Sequence, residues 1–256
     1  MFKNIKGLMI DTWIMFKRCI LISFRNPEGL FLAIVTPVFM MLLFGAIFGN
    51  IVDIGDFNYI DFIVPGIILQ CVGQGSQNTA INLCNDMTKG IINRFRSMPM
   101  SRSAVLLGHG LASIVKNTIT TAATIGAALA IGFRPQASFS QWLVIAGILL
   151  LFITAITWIA ILVGLKAKTV ESTSGFMFPL FILPYISSGF APAETIHGAL
   201  RWFATHQPMT HIIDGLRGQM LNMPNYDAKL LAALWCAVII ALALFASVRV
   251  YQRKTA

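Results

Sequence analysis

Long apolar runs separated by short polar stretches organise this chain. A membrane-crossing helix needs about 20 mostly apolar residues. Six runs qualify, at roughly 29–49, 60–84, 104–131, 142–165, 173–190 and 228–248. The fifth is short and carries Pro179 and Pro184, so a kinked or broken helix is expected there. Ahead of the first run, "LMIDTWIMFKRCILISFR" (8–25) is apolar but interrupted. Its Asp11, Arg18 and Arg25 recur at seven-residue spacing and fall on one narrow helical stripe. This spacing predicts an interfacial helix with the charged stripe toward water. An extra span would instead bury those charges, at about 2.5–3.5 kcal/mol each near the bilayer centre.

Two further amphipathic patterns lie between the runs. In the basic interruption at 85–102, Met87, Ile91, Phe95 and Met98 share one helical face. Lys89 and Arg96 lie opposite, Arg94 sits at the margin, and Pro99 disfavours helix at Met98. A short basic helix over 87–98 with an apolar docking face is expected. Between 191 and 227, two amphipathic segments flank His206-Gln207-Pro208. They predict two half-helices dipping back toward the membrane, where broken backbone must be covered by protein or line a water-filled cavity.

Polar residues inside the runs are candidates for a path through the protein. Gln70, Gln74 and Gln77 form an amide stripe on the second run, edged by Asn78 and Asn82. The third run holds Lys116 with Thr120 and Thr124 on the same face. Such groups need partners in a membrane, either as glue between helices or as the wall of a substrate path. The Lys116 side chain could also snorkel to the headgroups.

Composition agrees: 57% of residues are hydrophobic and 11% charged, against about a quarter charged in soluble domains. The expected class is therefore an all-α integral membrane protein. The net charge of +9 acquires a meaning once its lysines and arginines are placed. Lys3, Lys6, Lys17, Arg18 and Arg25 precede the first run; Lys89, Arg94, Arg96 and Arg102 separate the second from the third. Lys166 and Lys168 follow the fourth, and Arg249, Arg253 and Lys254 follow the last. All fall on one side of a six-span chain, against Arg134, Arg201, Arg217 and Lys229 on the other. This bias predicts both termini in the cytoplasm and accounts for the charge without nucleic acid.

Cys19, Cys71, Cys84 and Cys236 form no CxxC pair and read as small buried hydrophobes. The first apolar stretch lacks the pattern of a cleaved signal. Lysine never follows glycine, so the chain carries no GxxxxGK[ST] nucleotide-binding loop. His206, His211 and Asp214 raise a metal-dependent membrane enzyme as a minor alternative, but their spacing matches no established zinc pattern. An ion-coupled transporter or channel using Lys116 and the polar face of the second run is another reading. Few carboxylates lie within the runs to support it.

Three segments, "YIDFIVPGIILQ" (59–70), "GIINRFRSMPMSRSAVLLGH" (90–109) and "LPYISSGFAPAETIHGALRWFATHQPMTHIIDGLRG" (183–218), carry a family likeness. In this order they resemble the membrane subunits of type-2 ABC exporters, in particular the daunorubicin-resistance-type permeases. A departure is Ile196-His197, where relatives often carry proline. The resemblance implies six transmembrane helices, an N-terminal elbow helix (8–25), a cytoplasmic coupling helix (87–98) and external re-entrant half-helices before the last span. It assigns Lys89, Ile91, Arg94, Phe95, Arg96 and Met98 to ATPase coupling, and leaves Gln70, Gln74, Gln77, Lys116 and Thr120 as a substrate path. It further implies a homodimer in a bacterial inner membrane, working with two copies of a separately encoded ATP-binding subunit. ATP and Mg would bind that subunit, with no cofactor on this chain. The implied cargo is amphipathic: a drug, a lipid or a lipid-linked glycan.

Overall fold

The computed structural model describes residues 5–25, 27–49, 51, 57–91, 101–223 and 228–255. Among these residues are nine α-helices and no strands: α1 (Ile5–Phe24), α2 (Pro27–Phe48), α3 (Tyr59–Thr88), α4 (Arg102–Ile131), α5 (Phe139–Lys166), α6 (Val170–Ile182), α7 (Ala199–His206), α8 (Pro208–Met220) and α9 (Lys229–Thr255). A single 3₁₀ turn, Ala193–Thr195, precedes α7. The apolar runs form helices because their backbone groups must be satisfied within the segment wherever lipid replaces water.

Four of these helices, α2, α4, α5 and α9, are long and apolar enough to cross a membrane. The six expected spans thus meet two differences. Helix α3 has 30 residues, but its amide-rich second half dilutes its hydropathy. Helix α6 has only 13 residues and ends at Ile182, two residues before Pro184. Turns follow through residue 190, giving the break expected from the two prolines.

Helix α3 is the axis of the bundle. It packs against α2, α4, α5, α6 and α8, while α5 also carries α9 and α1 leans on α4. The main core gathers Phe62, Ile63, Ile67 and Ile68 of α3 with Phe152 and Ile156 of α5 and Ile212 and Leu216 of α8. Large hydrophobics also cover the outside: Phe39 and Leu42 on α2, Leu143 and Leu150 on α5, and Leu242 and Phe245 on α9 are exposed. An apolar exterior over an apolar core is what a bilayer selects.

The N-terminal helix reverses one expectation. Its exposed large hydrophobics are Met9, Ile10, Trp13, Ile14, Leu21, Ile22 and Phe24, joined by exposed Lys6 and Lys17, while Asp11 and Arg18 turn into the protein. Asp11 accepts the Ser101 backbone N–H at 2.8 Å, at the start of α4. The charged stripe therefore faces protein at these two positions, and only Arg25 is exposed. Partner charges and a helix N-terminus offset the desolvation of the stripe. Gly108 permits the close approach, since a Cβ there would collide with Met15.

Residues 199–220 form two short helices divided at Gln207, where the sequence pattern places the break. Pro208 opens α8 at a position where no backbone N–H is needed. Ten of its 13 residues are buried, so this half-helix is covered by protein. The α4–α5 turn is tied to both neighbours: Arg134 N donates to Asp61 at 2.8 Å and Gln136 N to the Met220 carbonyl at 2.8 Å.

Close backbone contact between α3 and the turn after α6 gives a stability prediction. A Cβ on Gly66 would lie 2.8 Å from the Cα and the carbonyl oxygen of Gly189. Gly126, on α4, has open space around it. Gly66→Ala is expected to destabilise by about 1–3 kcal/mol, and Gly126→Ala to be neutral or stabilising by up to about 1 kcal/mol. Thermal melting of the purified protein in lipid nanodiscs checks the contrast.

Candidate functional site

Helix α3 has two dissimilar halves. Every residue from Asp61 to Gly73 is buried. Beyond Gly73, Gln74, Gln77, Asn78, Ile81, Asn82 and Asn85 are only half-buried, and their spacing places them on one face. Four cavities with shared wall residues follow this face. The first, about 220 Å³, lies among Asp86, Lys89, Asn82, His109 and Lys116. A second of about 120 Å³ adjoins it at Asn82 and Lys116 and reaches Asn78. A third of about 230 Å³ continues to Gln77 and Gln74. The fourth, about 430 Å³, lies between those glutamines and Phe178 and Phe181. From Lys89 to Gln74 the trench extends along roughly 22 Å of helix, at 1.5 Å per residue.

Beside the trench, the same half carries a hydroxyl seam. Thr79 donates to Ser113 at 3.0 Å, Ser113 pairs with Thr157 at 3.0 Å, and the Asn117 amide donates to Ser76 at 2.9 Å. These bonds join α3, α4 and α5, and serve as the interhelical glue. The Lys116 ammonium donates to the Gly75 carbonyl at 3.0 Å, so its side chain reaches α3. Gly75 leaves room for Asn117, which a Cβ would strike.

The proposed path residues therefore separate. Gln74, Gln77 and Lys116 line the trench. Gln70 is buried above it, donating to the Tyr185 hydroxyl at 2.6 Å. Thr120 donates back to carbonyls of its own helix and borders a small apolar cavity beside Lys116. The His206–His211–Asp214 grouping dissolves as well. Asp214 accepts from Ser188 at 2.6 Å and Arg217 at 2.9 Å, whereas His206 bonds within α7.

At the Lys89 end, three helices meet on one carboxylate. The Arg18 guanidinium of α1 grips Asp86 of α3 through bonds of 2.6 and 2.9 Å. Nε2 of His109 on α4 lies 3.2 Å from the same carboxylate. The hydrogen bond to Asp86 holds Arg18 above its ordinary pKa. Sequence spacing pointed to Arg18 but not to its partners, because Asp86 and His109 sit in different helices.

The expected docking helix begins differently from its projection. Helix α3 runs through Met87 to Thr88, Lys89 caps it, and Gly90 adopts φ 68°. Glycine tolerates that left-handed conformation and so terminates the helix. Met87 consequently belongs to α3. Lys89 is exposed and, with half-buried Ile91, lines the mouth of the trench. Arg94, Phe95, Arg96 and Met98 lie outside the described residues.

The Arg18–Asp86 pair lends itself to a double-mutant cycle. Arg18→Gln and Asp86→Asn should each lower stability, and together cost less than their sum by about 1 kcal/mol or more. Additive single losses in thermal melting would show the pair to be uncoupled.

Relatives point the same way. Residues 10–221 match the family described as ABC-2 type transporter. The chain is 26% identical over 238 residues to daunorubicin resistance ABC transporter permease protein DrrB1 of Streptomyces coeruleorubidus, covering 92% of this chain and 84% of that protein. It is 26% identical over 215 residues to the probable doxorubicin resistance ABC transporter permease protein DrrC of Mycobacterium tuberculosis, covering 81% and 75%. Over 199 residues it is 25% identical to the inner membrane transport permease YadH of Escherichia coli, covering 74% and 76%. With a family match over most of its length and a helical bundle clad in apolar side chains, this chain belongs to the ABC-2 type transporter family.

Proposed function

We propose that this chain is the permease subunit of an ATP-driven exporter that moves an amphipathic substrate out of the cytoplasm. A separately encoded ATP-binding subunit, present in two copies, supplies ATP and Mg chemistry, and a second copy of this chain completes the membrane dimer. The observation that carries the reading is the trench: it opens beside Lys89, next to the basic docking segment, and stops where α3 becomes fully buried. A polar face that ends where its helix becomes enclosed fits one state of an alternating transporter.

In this account the chain has six spans in a bacterial inner membrane, with the Lys89 end and both termini cytoplasmic. Helix α1 is the elbow, with its apolar face in the headgroup region, and α7 and α8 form the external half-helices. Nucleotide binding would close the two ATP-binding subunits and push on the 87–98 segment. Through Asp86, that motion reaches α1 by Arg18 and α4 by His109. Transport follows only if the two states of the dimer bind substrate differently.

The ion-coupled alternative gains little support from the carboxylates. Asp61 is occupied by the Arg134 backbone and Asp86 by Arg18 and His109.

Arg96→Glu and Phe95→Asp are expected to abolish co-purification with the ATP-binding subunit and transport, while leaving membrane insertion and the melting temperature unchanged. Intact association and export in both variants would remove the coupling assignment.

A further inference from the structure

Lys116 stands where two unlike cavities meet. On one side lies the polar trench with Asn78 and Asn82. On the other is a slot of about 180 Å³ between α1, α2 and α4, bounded by Ile20, Phe24, Ile34 and Ile119. The exposed wall of this slot is hydrocarbon, and the Thr120 hydroxyl at its edge is turned back onto its own helix. Phe24 and Ile119 are 60% and 54% exposed, so the slot opens outward between the helices. Its volume is below the roughly 300–1,000 Å³ of sites that enclose drug-sized ligands. It suits a stretch of alkyl chain better than a fused ring system.

Charge decides what the other end holds. Lys116 uses one of its three N–H groups on the Gly75 carbonyl. Among the described residues, the charged side chains lining the trench are Lys116, Lys89 and Asp86, with His109 beside Asp86. Asp86 is matched by Arg18 and faced by His109. The balance left for a ligand is cationic, in surroundings where a like charge is repelled and an opposite one is held strongly.

We propose that Lys116 anchors the anionic headgroup of an amphiphile whose alkyl chain occupies the Ile20–Phe24–Ile34–Ile119 slot. The class is a phosphate- or carboxylate-headed lipid-like molecule entering sideways from the membrane. Its role as export cargo rests on the permease reading above; the binding site does not. The amides of Asn82, Asn78, Gln77 and Gln74 then offer successive hydrogen-bonding positions for a polar head moving along α3.

Native mass spectrometry of the full chain in phosphatidylcholine nanodiscs tests this, with no ATP-binding subunit present. The probes are dodecyl phosphate, dodecyltrimethylammonium and inorganic phosphate. Dodecyl phosphate should bind at least about tenfold more tightly than dodecyltrimethylammonium, and inorganic phosphate should not displace it. Lys116→Gln should weaken dodecyl phosphate by at least about tenfold, and Lys116→Arg should retain the preference. Ile34→Trp, which fills the slot without changing charge, should also weaken it. Equal or tighter binding of the cationic probe overturns the proposal, as do full affinity in Lys116→Gln or Ile34→Trp and displacement by inorganic phosphate. If Lys116→Gln fails to fold, the Lys116→Arg variant decides, and loss of the preference there counts against the site. Failure here leaves ATPase association untouched, and failed ATPase association leaves this binding untouched.

Discussion

A guanidinium without access to water holds one end of this bundle shut. Arg217 is fully buried on α8 and donates to the Phe62 carbonyl from Nε at 3.3 Å and Nη2 at 3.1 Å. It also donates to the Ser188 carbonyl and, at 2.9 Å, to Asp214, and its plane lies 3.6 Å from the centre of the Phe62 ring. Burying a charge is tolerated only when its donors are met, and here backbone oxygens from two other segments meet them. The clamp therefore fixes three pieces of chain relative to one another: the start of α3, the turn after α6, and the half-helix α8. Asp214 reinforces it by taking the Ser188 hydroxyl as well.

The asymmetry of α3 follows from this clamp. Above Gly73 the helix is enclosed by α2, α5, α6 and α8, with glycine-to-glycine contact at Gly66 and Gly189. Below it, α4 and α5 hold the helix by hydroxyl bonds and Met177 of α6 packs on Ala80, leaving the amide face half-buried. A single helix is thus enclosed at one end and presents a half-buried polar face to the cavities at the other. The Arg18–Asp86–His109 cluster ties this end of α3 to α1 and α4 through one ionic joint.

Much of this was legible in residue patterns. The spans at α2, α4, α5 and α9 come from uninterrupted apolar runs, and the division of 191–227 comes from Pro208. What periodicity reports is which residues share a face; it does not report what the face meets. Asp11 and Arg18 were correctly aligned, but their partners Ser101 and Asp86 are far away in sequence, so their stripe points inward. Gln70 shares a face with Gln74 and yet meets Tyr185, because the turn after α6 closes over α3 at that level. Arg217 reads from sequence as one more loop cation, since nothing local reveals that Phe62 and Ser188 converge on it. Met87 falls on α3 and not on a helix shared with Ile91, because Gly90 turns the backbone out of α3.

The most direct test of a half-open α3 is thiol accessibility in a cysteine-free background. Single cysteines at Ile67, Gln70, Gln74, Gln77, Asn78 and Asn82 would be challenged with a membrane-impermeant maleimide, applied separately to each face of sealed membranes. The account requires labelling at 74, 77, 78 and 82 from the cytoplasmic face only, with 67 and 70 protected from both. Labelling of Ile67 or Gln70, or entry to the amide face from outside without nucleotide, would contradict a trench sealed by the Arg217 clamp.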